Sequence, residues 1–256
     1  MIDAHCHLEF NQFDDMRDEV IKKAKERLLA VIDSAAEETR APAVLNLSEK
    51  HSNFIFPVLG LHPSYAVEYS DEKLNDYLEY IRNRKDLIYG IGEVGLDYFH
   101  VSDDTSRELT KRVFKKFILL SNELKLPLVI HTRDAMDDTL DILEENDAGK
   151  VMLHTYTGNI PQTERVIDLG YYVSFSTMIC RTKEYDKSIK RVPLYRILLE
   201  TDSPFLAPKK GELNYPWNIK LVAQRIAELK GYDFDYVWKV CAQNAIDFFK
   251  LPLKVK

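Results

Sequence analysis

Apolar residues in this chain come in short runs, separated by stretches in which charge recurs at helical spacing. Eight runs stand out, at residues 2–8, 28–35, 55–61, 88–97, 127–133, 150–156, 171–176 and 197–201. Each has the length of a buried strand and is too short for a typical helix. Between most of them, amphipathic stretches predict helices over residues 14–27, 70–84, 104–124, 135–146 and 161–169. The second connection is the weakest, because residues 37–49 have a poor helical pattern and contain Pro42. Residues 218–230 and 235–250 predict two closing helices. A strand followed by a helix, repeated, implies a parallel sheet with right-handed crossovers. Eight such units in 256 residues predict an α/β fold, a single-domain (β/α)8 barrel covering residues 1–256. No linker, low-complexity tract or internal sequence repeat interrupts the pattern.

Active sites of such barrels lie at the C-terminal ends of the strands, and the polar residues of these runs cluster there. The first run reads Ile2-Asp3-Ala4-His5-Cys6-His7. Strand alternation puts Asp3, His5 and His7 on one face and Ile2, Ala4 and Cys6 on the other. Two neighbouring imidazoles can hold one divalent ion. His62 follows the third run, Glu93 and Asp97 the fourth, His131 and Arg133 the fifth, His154 the sixth and Asp202 the eighth. Five of the seven histidines thus fall at strand ends, a placement that chance does not produce. Any one of them alone is explained by a hydrogen-bonded structural role, but buried histidines and carboxylates gathered at one barrel mouth need a cation to balance them. His51 and His100 sit in loop-like sequence and read as solvated. Cys6 faces away from the site and reads as core.

Composition narrows the setting without changing this picture. The chain is 45% hydrophobic and 30% charged, ordinary for a soluble domain. No apolar run reaches the length of a membrane span, and strand-like sequence from the start predicts no signal peptide. Cys6, Cys180 and Cys241 form no paired motif, which points to the cytoplasm. A net charge of −6 gives no global basic footprint, so a nucleic-acid substrate would be held locally. Lys209 and Lys210, after the eighth run, are candidates for lining the mouth, although a surface lysine pair is more often only solvated. Tyr98, Phe99, Tyr156, Phe205 and Trp217 follow strand ends, and one or two of them can stack on a base.

Six segments carry a resemblance. They are Asp-Ala-His-Cys-His-Leu, Gly-Leu-His-Pro, Gly-Glu-Val-Gly-Leu-Asp-Tyr, Leu-Pro-Leu-Val-Ile-His-Thr-Arg-Asp-Ala, His-Thr-Tyr-Thr-Gly and Glu-Thr-Asp-Ser-Pro-Phe-Leu. In that order, across nearly the whole chain, they resemble the TatD family of metal-dependent deoxyribonucleases, within the wider amidohydrolase-like barrels. The resemblance implies that His5, His7, Glu93, His131, His154 and Asp202 bind two divalent metals (Zn2+, Mn2+ or Mg2+), with Glu93 bridging. It places His62 and Arg133 toward the substrate. Glu93 and Asp202 are then the catalytic carboxylates, supporting a metal-activated water that attacks phosphorus, with Asp202 able to accept its proton. The implied activity is a deoxyribonuclease of the 3'–5' exonuclease type, acting on single-stranded or frayed DNA ends. The sequence departs from the family pattern at Arg112–Phe117, where the family has glutamines flanking the phenylalanine and this chain has none, at Ser64, where the family often has a second histidine, and at Thr155–Gly158. None of these removes a ligand. Two other classes use similar ligands: a carbon–nitrogen or ester hydrolase on the same barrel, and a non-catalytic metal-binding protein. The strand-four glutamate in place of a lysine, the Glu-Thr-Asp-Ser-Pro-Phe-Leu segment and the complete ligand set favour the nuclease.

Overall fold

A computed structural model describes residues 1–255. In chain order the elements are β1 (Ile2–Cys6), α1 (Arg17–Lys25), β2 (Ala30–Ala35), α2 (Ala41–Lys50), β3 (Ile55–Leu59), α3 (Pro63–Ala66), α4 (Asp71–Arg82), β4 (Gly90–Asp97), α5 (Asp104–Leu124), β5 (Leu128–Arg133), α6 (Met136–Glu145), β6 (Val151–Leu153), α7 (Ile160–Asp168), β7 (Tyr172–Phe175), α8 (Asp186–Arg191), β8 (Ile197–Leu199), α9 (Ile219–Lys230) and α10 (Phe234–Phe249). The strands pair in parallel in sequence order, β1 to β8. Past the end of β8 the ring is drawn together by main-chain bonds to the first strand, Asp202 N–H to His5 C=O at 3.0 Å and His7 N–H to Ser203 C=O at 2.7 Å. This is the expected eight-unit barrel.

The weak second connection is a helix after all. Pro42 falls in the first turn of α2, where its missing N–H has no intrahelical partner to lose. Side chains cap the starts of other helices. Asn159 and Gln162 form a capping box that starts α7, and Asp103 caps α5 through the Ser106 amide.

Two apolar layers result. One lies between strands and helices and includes Val31, Leu59, Ile91, Ile130, Val173 and Phe175. The other gathers Ile2, Ala30, Phe56 and Met152, from the starts of their strands, around Phe248 and Phe249 of α10. The end of α10 therefore closes the N-terminal end of the barrel, each buried phenylalanine contributing about 2 kcal/mol, and the opposite end is left for chemistry.

Strict alternation in β1 does not hold. Its register with β2 slips by one residue between Asp3 and Cys6, from Asp3↔Val31 to Cys6↔Asp33. Ile2 and Ala4 pack with the α10 layer, whereas Cys6 packs in the helix-facing layer. Such a bulge re-aims side chains at an active site. His5 lies within the slip and His7 beyond it, and the two rings share a direction. Asp3 does not join them: its carboxylate accepts hydrogen bonds from the N–H and hydroxyl of Thr201, at 2.9 and 2.5 Å.

The two glycines around Glu93 have a steric reason. At Gly92 (φ +153°) a Cβ would lie 2.5 Å from the Val129 carbonyl oxygen, and at Gly95 (φ +144°) 2.0 Å from that of His131. Only glycine lets β4 lie this close to β5, and that closeness brings Glu93 up to His131.

Candidate metal centre

The expected strand ends meet at one point. Glu93 stands in the middle. Its Oε2 lies 2.9 Å from His154 Nε2, 3.6 Å from His131 Nδ1 and 3.9 Å from His5 Nε2, and its Oε1 lies 3.7 Å from His7 Nε2. Asp202 Oδ1 is 3.3 Å from His7 Nε2 and 3.7 Å from His5 Nε2. Ring nitrogens face each other in pairs: His5 Nε2 and His7 Nε2 at 3.2 Å, His131 Nδ1 and His154 Nε2 at 3.1 Å. Two imidazole lone pairs that close repel unless a proton or a cation lies between them. The sets His5–His7–Glu93 and Glu93–His131–His154 each keep their donor atoms within 4.8 Å. Nitrogen and carboxylate donors in this spacing fit divalent metal.

Each histidine is held differently from behind. His7 donates from Nδ1 to the Ser34 carbonyl at 2.7 Å. His131 donates from Nε2 to Asp97 Oδ2 at 3.0 Å, and Asp97 also accepts from the Phe99 and His100 amides and stands 2.8 Å from His100 Nδ1. His100 is therefore an outer partner of the site, half exposed, and not merely solvated. His154 Nδ1 faces Glu200 Oε1 at 3.5 Å. Glu200 is fully buried and accepts from the Thr155 amide at 2.7 Å, from the Thr155 hydroxyl and from Ser174 Oγ at 2.6 Å. His5 Nδ1 is buried with no partner.

The charges follow from these neighbours. Burial dominates at His5 and lowers it to about 3, with His154 adding to the effect. Burial opposes the charge of His7 as well, but Asp202, Glu9 and Glu93 outweigh it and raise His7 to about 10. The same contest raises His131, where Asp97 and Glu93 win, and His154, where Glu200 and Glu93 win. Glu93 is pulled well below the usual carboxylate range by His131 and His154 against its burial, and Glu200 down to about 2 by His154.

His62 and Arg133 also lie at this end. The His62 ring sits 4.2 Å from that of His131, between centroids, and its Nδ1 is 2.7 Å from Ser64 Oγ. Ser64, one of the departures from the family pattern, thus fixes the orientation of His62. Burial, then His131, lowers His62 to about 3, so it is a neutral group. Arg133 is exposed, with its guanidinium 3.6 Å from the centroid of Phe99. His131, Arg133, His154, Tyr185, Asp202 and Leu206 help line a cleft of about 500 Å³.

The remaining residues singled out in the sequence lie apart from this cluster or are already engaged. Tyr156 is buried, with its hydroxyl 3.1 Å from Thr163 Oγ1, and Trp217 stacks on Tyr215, so neither ring is free. Tyr98 bonds Asp138 through its hydroxyl. Lys209 is paired with Glu212 on the surface. His51 lies beside Lys25, away from the barrel mouth. Glu200 carried a signal that the strand pattern alone passes over: a carboxylate inside a fully buried run must have donors around it.

Relatives support the same reading. The chain matches the family described as TatD related DNase over residues 2–250. It is 35% identical to the deoxyribonuclease TATDN3 of Homo sapiens over 258 residues, covering 97% of this chain and 94% of the human one. It is 34% identical to the metal-dependent hydrolase MJ1582 of Methanocaldococcus jannaschii, covering 98% of each. The crystal structure of YJJV, a TatD homologue from Escherichia coli K12, superposes with a TM-score of 0.91 at 27% identity, covering 98% of each chain. A match running from the first strand to the last residue of the final helical turn takes in the whole barrel and every residue of the site, and the chain belongs to the TatD related DNase family of metal-dependent hydrolases.

Proposed function

We propose that the chain is a two-metal deoxyribonuclease that hydrolyses phosphodiesters from the ends of single-stranded or frayed DNA. The observation that carries this reading is the position of Glu93, one carboxylate between two histidine pairs. His5, His7 and Asp202 would hold one ion, His131 and His154 the other, and Glu93 both. A donor set this rich in imidazole suits Zn2+ or Mn2+ better than Mg2+. When bound, the ions supply a water of lowered pKa and neutralise charge on the phosphoryl oxygens. Asp202 accepts the proton of the attacking water at its carboxylate. Arg133 grips phosphoryl oxygens with its guanidinium. His62, neutral and locked at Nδ1 by Ser64, turns its other edge to the substrate as a hydrogen-bonding group. The net charge of −6 supports end-directed action, because a few local contacts then have to hold the strand.

The test has two arms. Protein loaded with Mn2+ or Zn2+ should carry about two ions per chain by elemental analysis; a folded protein that retains none contradicts the reading. Linear single-stranded DNA should be degraded and the circular form spared, with a shallow dependence of affinity on salt. Equal cutting of circles would sink the end-directed model while leaving the metal centre in place.

A further inference from the structure

Of twelve phenylalanines, only Phe99 and Phe205 are exposed, at 59% and 37%. Both sit at the mouth, on opposite sides of it. Phe99 follows β4 two residues after Asp97, the partner of His131. Phe205 follows β8 three residues after Asp202, with its ring centroid 6.0 Å from that of His7. In a ring of eight strands, the ends of β4 and β8 lie half a turn apart, with the metal-ligating side chains between them.

Phe99 has a guanidinium on its ring, and Phe205 is linked to one through Phe10. Arg133 lies 3.6 Å from the Phe99 centroid, and the His100 ring meets Phe99 in a T-shaped contact at 5.0 Å rather than stacking on it. On the far side, Arg40 lies 3.8 Å from the centroid of Phe10, and Phe10 meets Phe205 in a T-shaped contact at 5.2 Å. Phe205 meets His7 in a T-shaped contact too, so no neighbouring ring is stacked parallel on it. Arg40 is steadied by Glu37, with Nε 3.2 Å from Oε1. Burying an apolar ring would be favourable, yet two stay in water at the one place where the chain has its hydrolytic groups. An exposed ring with a guanidinium beside it, or one ring away, matches one nucleotide, with the base on the ring and the phosphate on the cation. A small ester with no base would engage the guanidiniums and leave both rings idle.

We infer that Phe99 with Arg133, and Phe205 with Phe10 and Arg40, are the two nucleotide holders of this enzyme, one on each side of the scissile phosphate. The inference rests on the nuclease reading above and adds what that reading lacks, a source of preference for base-bearing substrates. The separation also demands a strand whose neighbouring bases are splayed apart, because the two rings face the site from opposite rims. A paired duplex end must open by at least one step to reach both.

The experiment compares two oligonucleotides of one sequence, one intact and one lacking the base at the nucleotides flanking the cleaved bond. Phe99→Ala and Phe205→Ala should each lower kcat/KM on the intact strand by about tenfold, the usual loss for one stacked base, and leave the value on the base-free strand unchanged. A 2-aminopurine placed at those positions should be quenched on binding by the parent protein and less so by each variant, a readout independent of turnover. Both side chains are exposed, so the variants should fold; elemental analysis should give them the parent's metal content. Equal losses on the two strands, or no loss on either, would overturn the inference while the nuclease reading stands. Failure of the metal-loaded parent to cut either strand would overturn both.

Discussion

The two halves of the metal centre obtain their negative charge by different routes. On the β1–β8 side, Asp202 faces His5 and His7 directly, and behind His7 its Nδ1 donates to a main-chain carbonyl with the buried Glu9 carboxylate 4.0 Å away. On the β5–β6 side Glu93 is, among the described residues, the one carboxylate within 4.0 Å of the inward nitrogens His131 Nδ1 and His154 Nε2; Asp97 and Glu200 stand behind these rings and act through them. A carboxylate behind an imidazole fixes its tautomer and raises its basicity. The difference teaches that the proposed site sets a carboxylate directly before one histidine pair and behind each ring of the other, so mutations should separate the two.

The largest effect should come from the residue the halves share. Glu93→Gln keeps the shape and removes the charge facing all four histidines. Activity should fall by at least ~10²-fold with the fold intact by circular dichroism. Near-normal turnover would remove the basis for treating the two halves as one centre. Next, Glu200→Gln should weaken metal binding by about 10–100-fold, and only for one of the two ions, whereas Asp202→Asn should weaken the other. Stepwise titration with a chelator and a metal indicator reads both. If the two variants lose the same ion, the division into halves is wrong.

Protonation gives a third handle. His7 holds its proton up to about 10, and His154 is raised as well. Metal must displace those protons, so affinity should rise with pH between 6 and 9, by about tenfold per unit for each proton released. The sign is fixed: acid favours the protonated ring and expels the ion. Calorimetry in buffers of different ionisation enthalpy counts the protons, and an affinity independent of pH over that span would contradict the assignment. The smallest change should come from Ser64→Ala, which frees His62 Nδ1. A loss of about 1 kcal/mol in stability is expected for one hydrogen bond, with a modest drop in turnover and unchanged metal content. A large loss of metal would mean that His62 belongs among the ligands.

Much of this was legible in the sequence because the barrel repeats. Each strand shows as an apolar run, and its polar terminal residue stands out against it. What stayed hidden depended on contacts between strands. The slip in β1 involves its register with β2, which no pattern within residues 2–8 reveals, so Asp3 was grouped with His5 and His7 although it bonds Thr201. Glu200 looked like part of a core strand because its donors, Thr155 and Ser174, come from elsewhere in the chain. Loop aromatics could be named from position, but only packing separates the buried Tyr156 from the exposed Phe99. Pro42 weakened the second helix on paper because its place in the first turn depends on where the helix begins.

The bond from Thr201 to Asp3 spans 198 residues. A ribosome makes the chain from the other end of that interval. His5 and His7 emerge first, yet the carboxylate that completes their half arrives with Asp202, about four-fifths of the way through the 256 residues. Contacts this distant in sequence form late, since the chain between them must be ordered before they close. No shorter nascent fragment holds the full ligand set. On the proposed ligand set, a chain assembled in this order has no complete metal site until residue 202 has been added.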